Sequence, residues 1–159
     1  MSEQPSSGRP MSKAMEKRRA ARKLALQALY QWRVAGASIS QIEAEFAVDN
    51  DLQQVDRDLF KAVLYGVPSS VSELDALLQP FVDRKLTDVD PVELSLIRMG
   101  AFELRSRIEV PYRVVINEAV ELAKQFGGTD GHKFVNSVLD KLAPQLRQAE
   151  VAAAKSKKK

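Results

Sequence analysis

Between Lys13 and Leu146 the apolar residues of this 159-residue chain recur at intervals of three and four, and nowhere do they alternate with polar residues over a strand's length. That spacing places them on one side of a 3.6-residue helix, and a sheet has no use for it. The expected fold is therefore all-α, about seven helices joined by short loops, and the length fits one domain or two small packed helical lobes sharing a core.

The stops and starts locate the helices. The first runs from Lys13 to Ala35 and ends at Gly36. A second covers Ser38–Ala47, with Ile39, Ile42 and Phe46 on its stripe, and a third covers Leu52–Tyr65, before Gly66 and Pro68 break or kink it. A fourth spans Ser69–Gln79, where Ser70 and Glu73 have the spacing of a capping box. The fifth has the clearest start: Asp90 as N-cap, Pro91 at the first helical position and Glu93 at the third. The sixth runs from Pro111 to Phe126 and ends at Gly127-Gly128; the seventh begins near Thr129 or Asp130 and meets Pro144 near its end. Residues 1–12 are rich in Ser, Pro and Gly and are expected to be disordered; 13–148 form the helical domain, and 149–159 a basic tail that frays over its last residues.

Composition removes whole classes of chemistry. With no cysteine there is no disulfide, thiolate metal site or cysteine nucleophile, and a single histidine argues against a histidine-rich metal site or a conventional Ser-His-Asp triad. No catalytic residue, cofactor or metal is expected. The chain has no apolar run of about 18 residues and no apolar stretch behind its basic N-terminus, so neither a membrane span nor a secretory signal is expected, and the setting is cytoplasmic.

The net charge of +3 conceals a strong segregation. Residues 1–35 hold eight basic and two acidic side chains, residues 36–58 one and six, and residues 141–159 six and one. Within the first helix, Ala21, Leu24, Ala25, Ala28, Leu29 and Trp32 form the core face, while Arg19, Arg22, Lys23 and Arg33 form a stripe with Leu26 and Tyr30 embedded in it. Lys13, Lys17 and Arg18 extend the positive charge toward the N-terminus. Solvated helix faces ordinarily mix signs at i,i+4, but here Glu16 is the only acid between residues 4 and 42. Cations also sit badly at a helix N-terminus, where the macrodipole is itself positive. The stripe therefore points to a polyanion, and guanidinium forks with an exposed tyrosine suit a single RNA strand whose bases splay and stack. Phe134, off the seventh helix's stripe and close to Thr129, Asp130 and Lys133, is either core packing or a second stacking platform. Glu93 either caps its helix or, being acidic at an exposed helix start, faces a protein partner.

The segments RRAARKLALQALYQW, DRDLFKAVLYGV, ELSLIRMGAFEL and VPYRVVINEAVELAKQFGGTDGHKFVNSVLDKLAP together resemble the NusB family of transcription antitermination factors, in order over roughly residues 16–146. The resemblance implies a factor that binds boxA RNA of ribosomal RNA operon transcripts with the ribosomal protein NusE. It also implies work with RNA polymerase and other Nus factors to suppress termination. It assigns RNA binding to Lys17, Arg18, Arg19, Arg22, Tyr30, Asp130, Lys133 and Phe134, and NusE binding to Glu93. The arginine cluster is interrupted by Ala20-Ala21, and Ser137 stands where the family carries glycine. Whether the free protein forms a homodimer is left open. A ribosomal RNA methyltransferase with this helical domain fused to it needs a catalytic domain and a cysteine, and this chain has no cysteine. The remaining alternative is an unrelated helical nucleic-acid-binding or protein-interaction module.

Overall fold

In a computed structural model, residues 11–157 are described; residues 1–10 of the expected disordered segment, with Lys158 and Lys159, lie outside them. Among the described residues there are eight α-helices and no strand: α1 (Lys13–Ala35), α2 (Ile39–Asp49), α3 (Arg57–Ser69), α4 (Val71–Leu78), α5 (Pro91–Ser106), α6 (Tyr112–Phe126), α7 (Gly131–Leu146) and α8 (Gln148–Lys157). Short 3-10 turns at Leu52–Gln54, Gln79–Phe81 and Leu86–Asp88 complete the path.

The start of α1 is set by Ser12, whose hydroxyl accepts the Met15 N–H, and its end by Gly36 at φ 72°, a left-handed conformation that glycine adopts without steric cost. Ser12 thus belongs to the fold and not to the preceding segment. Asp90 caps α5 as its sequence indicates, accepting from the Val92 and Glu93 N–H groups. The expected capping box at Ser70 is absent: its hydroxyl donates backward to the Gly66 carbonyl at 2.6 Å, and Glu73 pairs with Arg105. The serine stands between the two helices, and its side chain serves the end of α3 and not the start of α4. Gly66 and Pro68 do not end α3 at Tyr65 either, and the helix continues to Ser69. Gly66 lies against the Phe102 ring, where any side chain would collide, and Pro68 falls in the last turn, where little hydrogen bonding is lost.

The buried apolar side chains form one continuous cluster, and α5 is its centre, in contact with α1, α3, α4, α6 and α7. Leu94, Leu96, Ile97 and Leu104 of α5 are almost wholly buried, each worth about 1.5–3 kcal/mol of transfer free energy. Gly100 lets α7 close on α5, since a Cβ there would stand 2.6 Å from Leu139.

Up to Lys157 the C-terminal residues are helical, where a fraying tail was expected, and the first turn of α8 is tied down. Arg147, 5% exposed, donates to the Leu104 carbonyl at 2.7 Å, the Val110 carbonyl at 2.9 Å, the Arg107 carbonyl at 3.0 Å and the Glu103 carbonyl at 3.2 Å, and pairs with Glu150 at 2.6 Å. Glu150 in turn accepts the Tyr112 N–H at 2.8 Å and so caps α6. Periodicity could not reveal this, because α8 has one buried apolar residue, Val151.

Candidate nucleic-acid interface

The helix α1 packs its apolar face on α3 and α5 and lays its basic side along α6. Arg19 Nε donates to both oxygens of Glu118 in α6, at 3.2 and 3.0 Å, yet the Arg19 side chain remains half exposed. One turn on, Lys23 Nζ stands 5.7 Å from the centre of the Phe126 ring at the end of α6. Lys17 is exposed and Arg18 partly so; neither forms an ion pair among the described residues. Tyr30 is 41% exposed, as expected for the ring in the stripe.

Arg22 departs from expectation. It is 4% exposed and forms a two-pronged pair with Glu103 of α5, Nε to one oxygen at 2.9 Å and Nη2 to the other at 2.8 Å. Burial opposes its charge, but the facing carboxylate outweighs burial and holds its pKa above the ordinary value. Arg22 therefore holds α1 to α5, with little of its side chain open to solvent. On the helical wheel it adjoins Leu29, at the edge of the core face, and an arginine at such an edge turns inward when a carboxylate waits there.

The second group of residues stands around the turn between α6 and α7. Asp130 adopts φ 64°, the only non-glycine residue with positive φ among the described residues, and Asp tolerates this conformation better than most. Lys133 reaches back to Asp130 at 3.3 Å, with both side chains largely in solvent. Phe134 takes the first of the roles weighed from sequence, packing against the core cluster, and the Arg84 guanidinium lies 5.1 Å from its ring centre. Phe126, 40% exposed beside Lys23, belongs to the same turn and was missed from sequence, because it continues the apolar stripe of α6. Lys23 thus joins the α1 stripe to the chain that carries Asp130.

Glu93 does not stand clear of the surface as expected. It is partly buried, its carboxylate lies near the Gly128 backbone, and a Cβ on Gly131 would be 2.5 Å from its Oε2. It braces the α6–α7 turn from below. Burial first, then the neighbouring Asp90, raise its pKa above the usual carboxylate value, while Arg84 and the Gly128 N–H restrain the rise. Among the described residues no group of three or more His, Asp or Glu could hold a metal ion, and no helix is long and apolar enough to cross a membrane.

Comparison with known proteins identifies the family. Residues 19–144 match the NusB family. The chain is 59% identical over 148 residues to the transcription antitermination protein NusB of Pseudomonas entomophila, covering 93% of this chain and 88% of that one. It is 60% identical over 133 residues to the protein of that name from Marinobacter nauticus, covering 84% of each. Among solved structures, NusB of T. maritima superposes with a TM-score of 0.71 at 25% identity, covering 86% of this chain and 94% of that one.

Proposed function

Because the chain belongs to the NusB family of transcription antitermination proteins, we propose that it binds the boxA element of ribosomal RNA operon transcripts together with NusE, in the cytoplasm, and helps RNA polymerase and other Nus factors pass terminators. The observation that carries the RNA-binding part is the cationic first half of α1, with Lys17 exposed, Arg18 partly and Arg19 half exposed, and Lys23 beside the Phe126 ring, followed along the helix by the exposed ring of Tyr30. In this reading the guanidinium and ammonium groups take phosphates and supply most of the affinity. Tyr30, Phe126 and Phe134 stack bases, and Asp130 and Lys133 contact the strand at the α6–α7 turn. Arg22 is excluded from this set by its burial against Glu103. Glu93 acts toward NusE together with the turn it braces. The protein works by binding and not by catalysis.

A titration of boxA RNA against a scrambled strand of equal length, with and without NusE and across several salt concentrations, tests the proposal. Tighter binding of boxA, strengthened by NusE, is expected. Equal affinity for the two strands would leave an unrelated helical module as the better description.

A further inference from the structure

The α5–α6 loop, which no sequence signal marked for function, shares a cleft with the N-terminal turns of α1. The cleft measures about 480 Å³, within the usual range for small-ligand pockets, and Met15, Arg18, Arg107, Val110, Pro111 and Val114 line it. Two features of the lining are unusual. Met15 and Val114 are 46% and 41% exposed, so the cleft has an apolar floor open to solvent. The Arg107 Nε–H is buried with no acceptor, the one such side-chain atom among the described residues. An unpaired buried donor is costly, and the cost disappears when a ligand oxygen takes it.

The carboxylates around the cleft are already engaged. Glu118 is held by Arg19, Glu109 pairs with Arg107 Nη2 at 3.2 Å, and Asp56 accepts the Leu59 N–H as the cap of α3. Arg18 has no carboxylate partner among the described residues, and Arg107 keeps donors beyond the one given to Glu109. The uncommitted groups are therefore guanidinium donors above an apolar surface, which is what one nucleotide needs: donors for its phosphate and a flat apolar contact for its base. Arg18 and Arg19 lie on both the cleft and the α1 edge, so the two surfaces are continuous.

We propose that this cleft holds one nucleotide of the bound single strand, its phosphate taken by Arg18 and Arg107 and its base laid on Met15, Pro111 and Val114. The inference rests on the RNA-binding reading above and extends the strand's path from α1 to the α5–α6 loop. Arg107 shifts from its place beside Glu109 to donate to the phosphate, and its Nε–H gains an acceptor only in the complex.

Titration of the full chain with boxA RNA at several salt concentrations tests this, together with the NMR resonance of the Arg107 Nε–H in the unsubstituted protein. On binding, that resonance should shift. Arg107→Ala should weaken binding roughly tenfold, the loss of one hydrogen bond to a charged group, and lower the slope of log affinity against log salt by about 0.7. Met15→Ala and Val114→Ala should weaken binding with the slope unchanged, because they remove base contact and no charge. Arg105→Ala, whose partner is Glu73, should bind as the unsubstituted protein does. If Arg18→Ala weakens binding while Arg107→Ala does not and the Nε–H resonance stays in place, the cleft is not on the path, though the RNA-binding reading stands. If inorganic phosphate shifts the resonance and RNA does not, the site takes a free anion and the proposal fails. Failure of the unsubstituted protein to prefer boxA would overturn both readings.

Discussion

The guanidinium of Arg22 in α1 and the carboxylate of Glu103 in α5 meet face to face inside the protein, joined at 2.9 and 2.8 Å and excluded from solvent. The pair divides the arginine motif of α1 into two kinds of residue. Arg18 and Arg19 reach solvent, while Arg22 fastens the helix that presents them.

Removing one partner of such a pair strands a buried charge. Arg22→Ala should therefore destabilise the fold by about 3–5 kcal/mol in denaturant titrations. The double variant Arg22→Met/Glu103→Leu, which removes both charges and keeps the volume, should recover most of that loss. RNA affinity of the folded double variant should stay near that of the unsubstituted protein. A loss as large as that of Arg19→Ala would return Arg22 to the interface.

Arg19 is expected to serve RNA while leaning on Glu118. Its replacement by Ala should lower the salt slope by about 0.7, one phosphate contact on a single strand. Glu118→Gln should work in the opposite direction and tighten RNA binding, since it removes a competing anion from Arg19. A weakened complex in Glu118→Gln would mean that the ion pair positions the arginine.

For Phe134 the two roles separate by substitution. Phe134→Leu keeps most of the packing and removes the stacking face, so it should fold normally and lose about 1–3 kcal/mol of RNA affinity. Tyr30→Ala, at an exposed position, should lose a similar amount with little change in melting temperature. Unchanged affinity in both would remove base stacking from the account.

Glu93 gives a pH-dependent prediction. Its folded pKa is raised, so the folded state prefers the neutral acid, and that contribution is present below the unfolded value of 4.5 and lost as pH rises through the folded one. Glu93→Gln keeps an acceptor near the Gly128 backbone and is neutral at every pH. It should melt higher than the unsubstituted protein at pH 7, the difference closing as pH falls below 4.5. Glu150 has the opposite sign. Burial alone would raise its pKa, but the Tyr112 N–H and Arg147 overcome burial and lower it, so its contribution is present above 4.5 and lost as pH falls through the folded value. Glu150→Gln should accordingly flatten the acid limb of a stability–pH curve measured by thermal melting.

The sequence disclosed what rests on local chemistry. The α1 boundary at Gly36 and the Asp90 cap follow from one or two residues each, and the outward aspect of Arg19 and Tyr30 follows from helical phase. It concealed what depends on residues distant along the chain. Arg22 is buried because Glu103 arrives from 81 positions away. Ser70 has the spacing of a cap but finds a better acceptor behind it, in Gly66. Glu93 looked like a free acid because nothing nearby in sequence announces that the α6–α7 turn folds onto it. The Arg107 cleft is assembled from α1 and the α5–α6 loop, and no single window of sequence contains it.

The cap of α6 has a consequence for how the protein is made. A helix ordinarily obtains its first acceptor from the residue just before it, but α6 takes its own from Glu150, 38 positions downstream and within the last ten residues of the chain. During synthesis from the N-terminus, the arginines of α1 emerge before Glu150, and the α6 flank beside them keeps an open first turn until α8 has been made. The support of that cationic helix is thus closed by a segment far downstream of it, and a chain lacking α8 would carry the basic motif beside an uncapped α6.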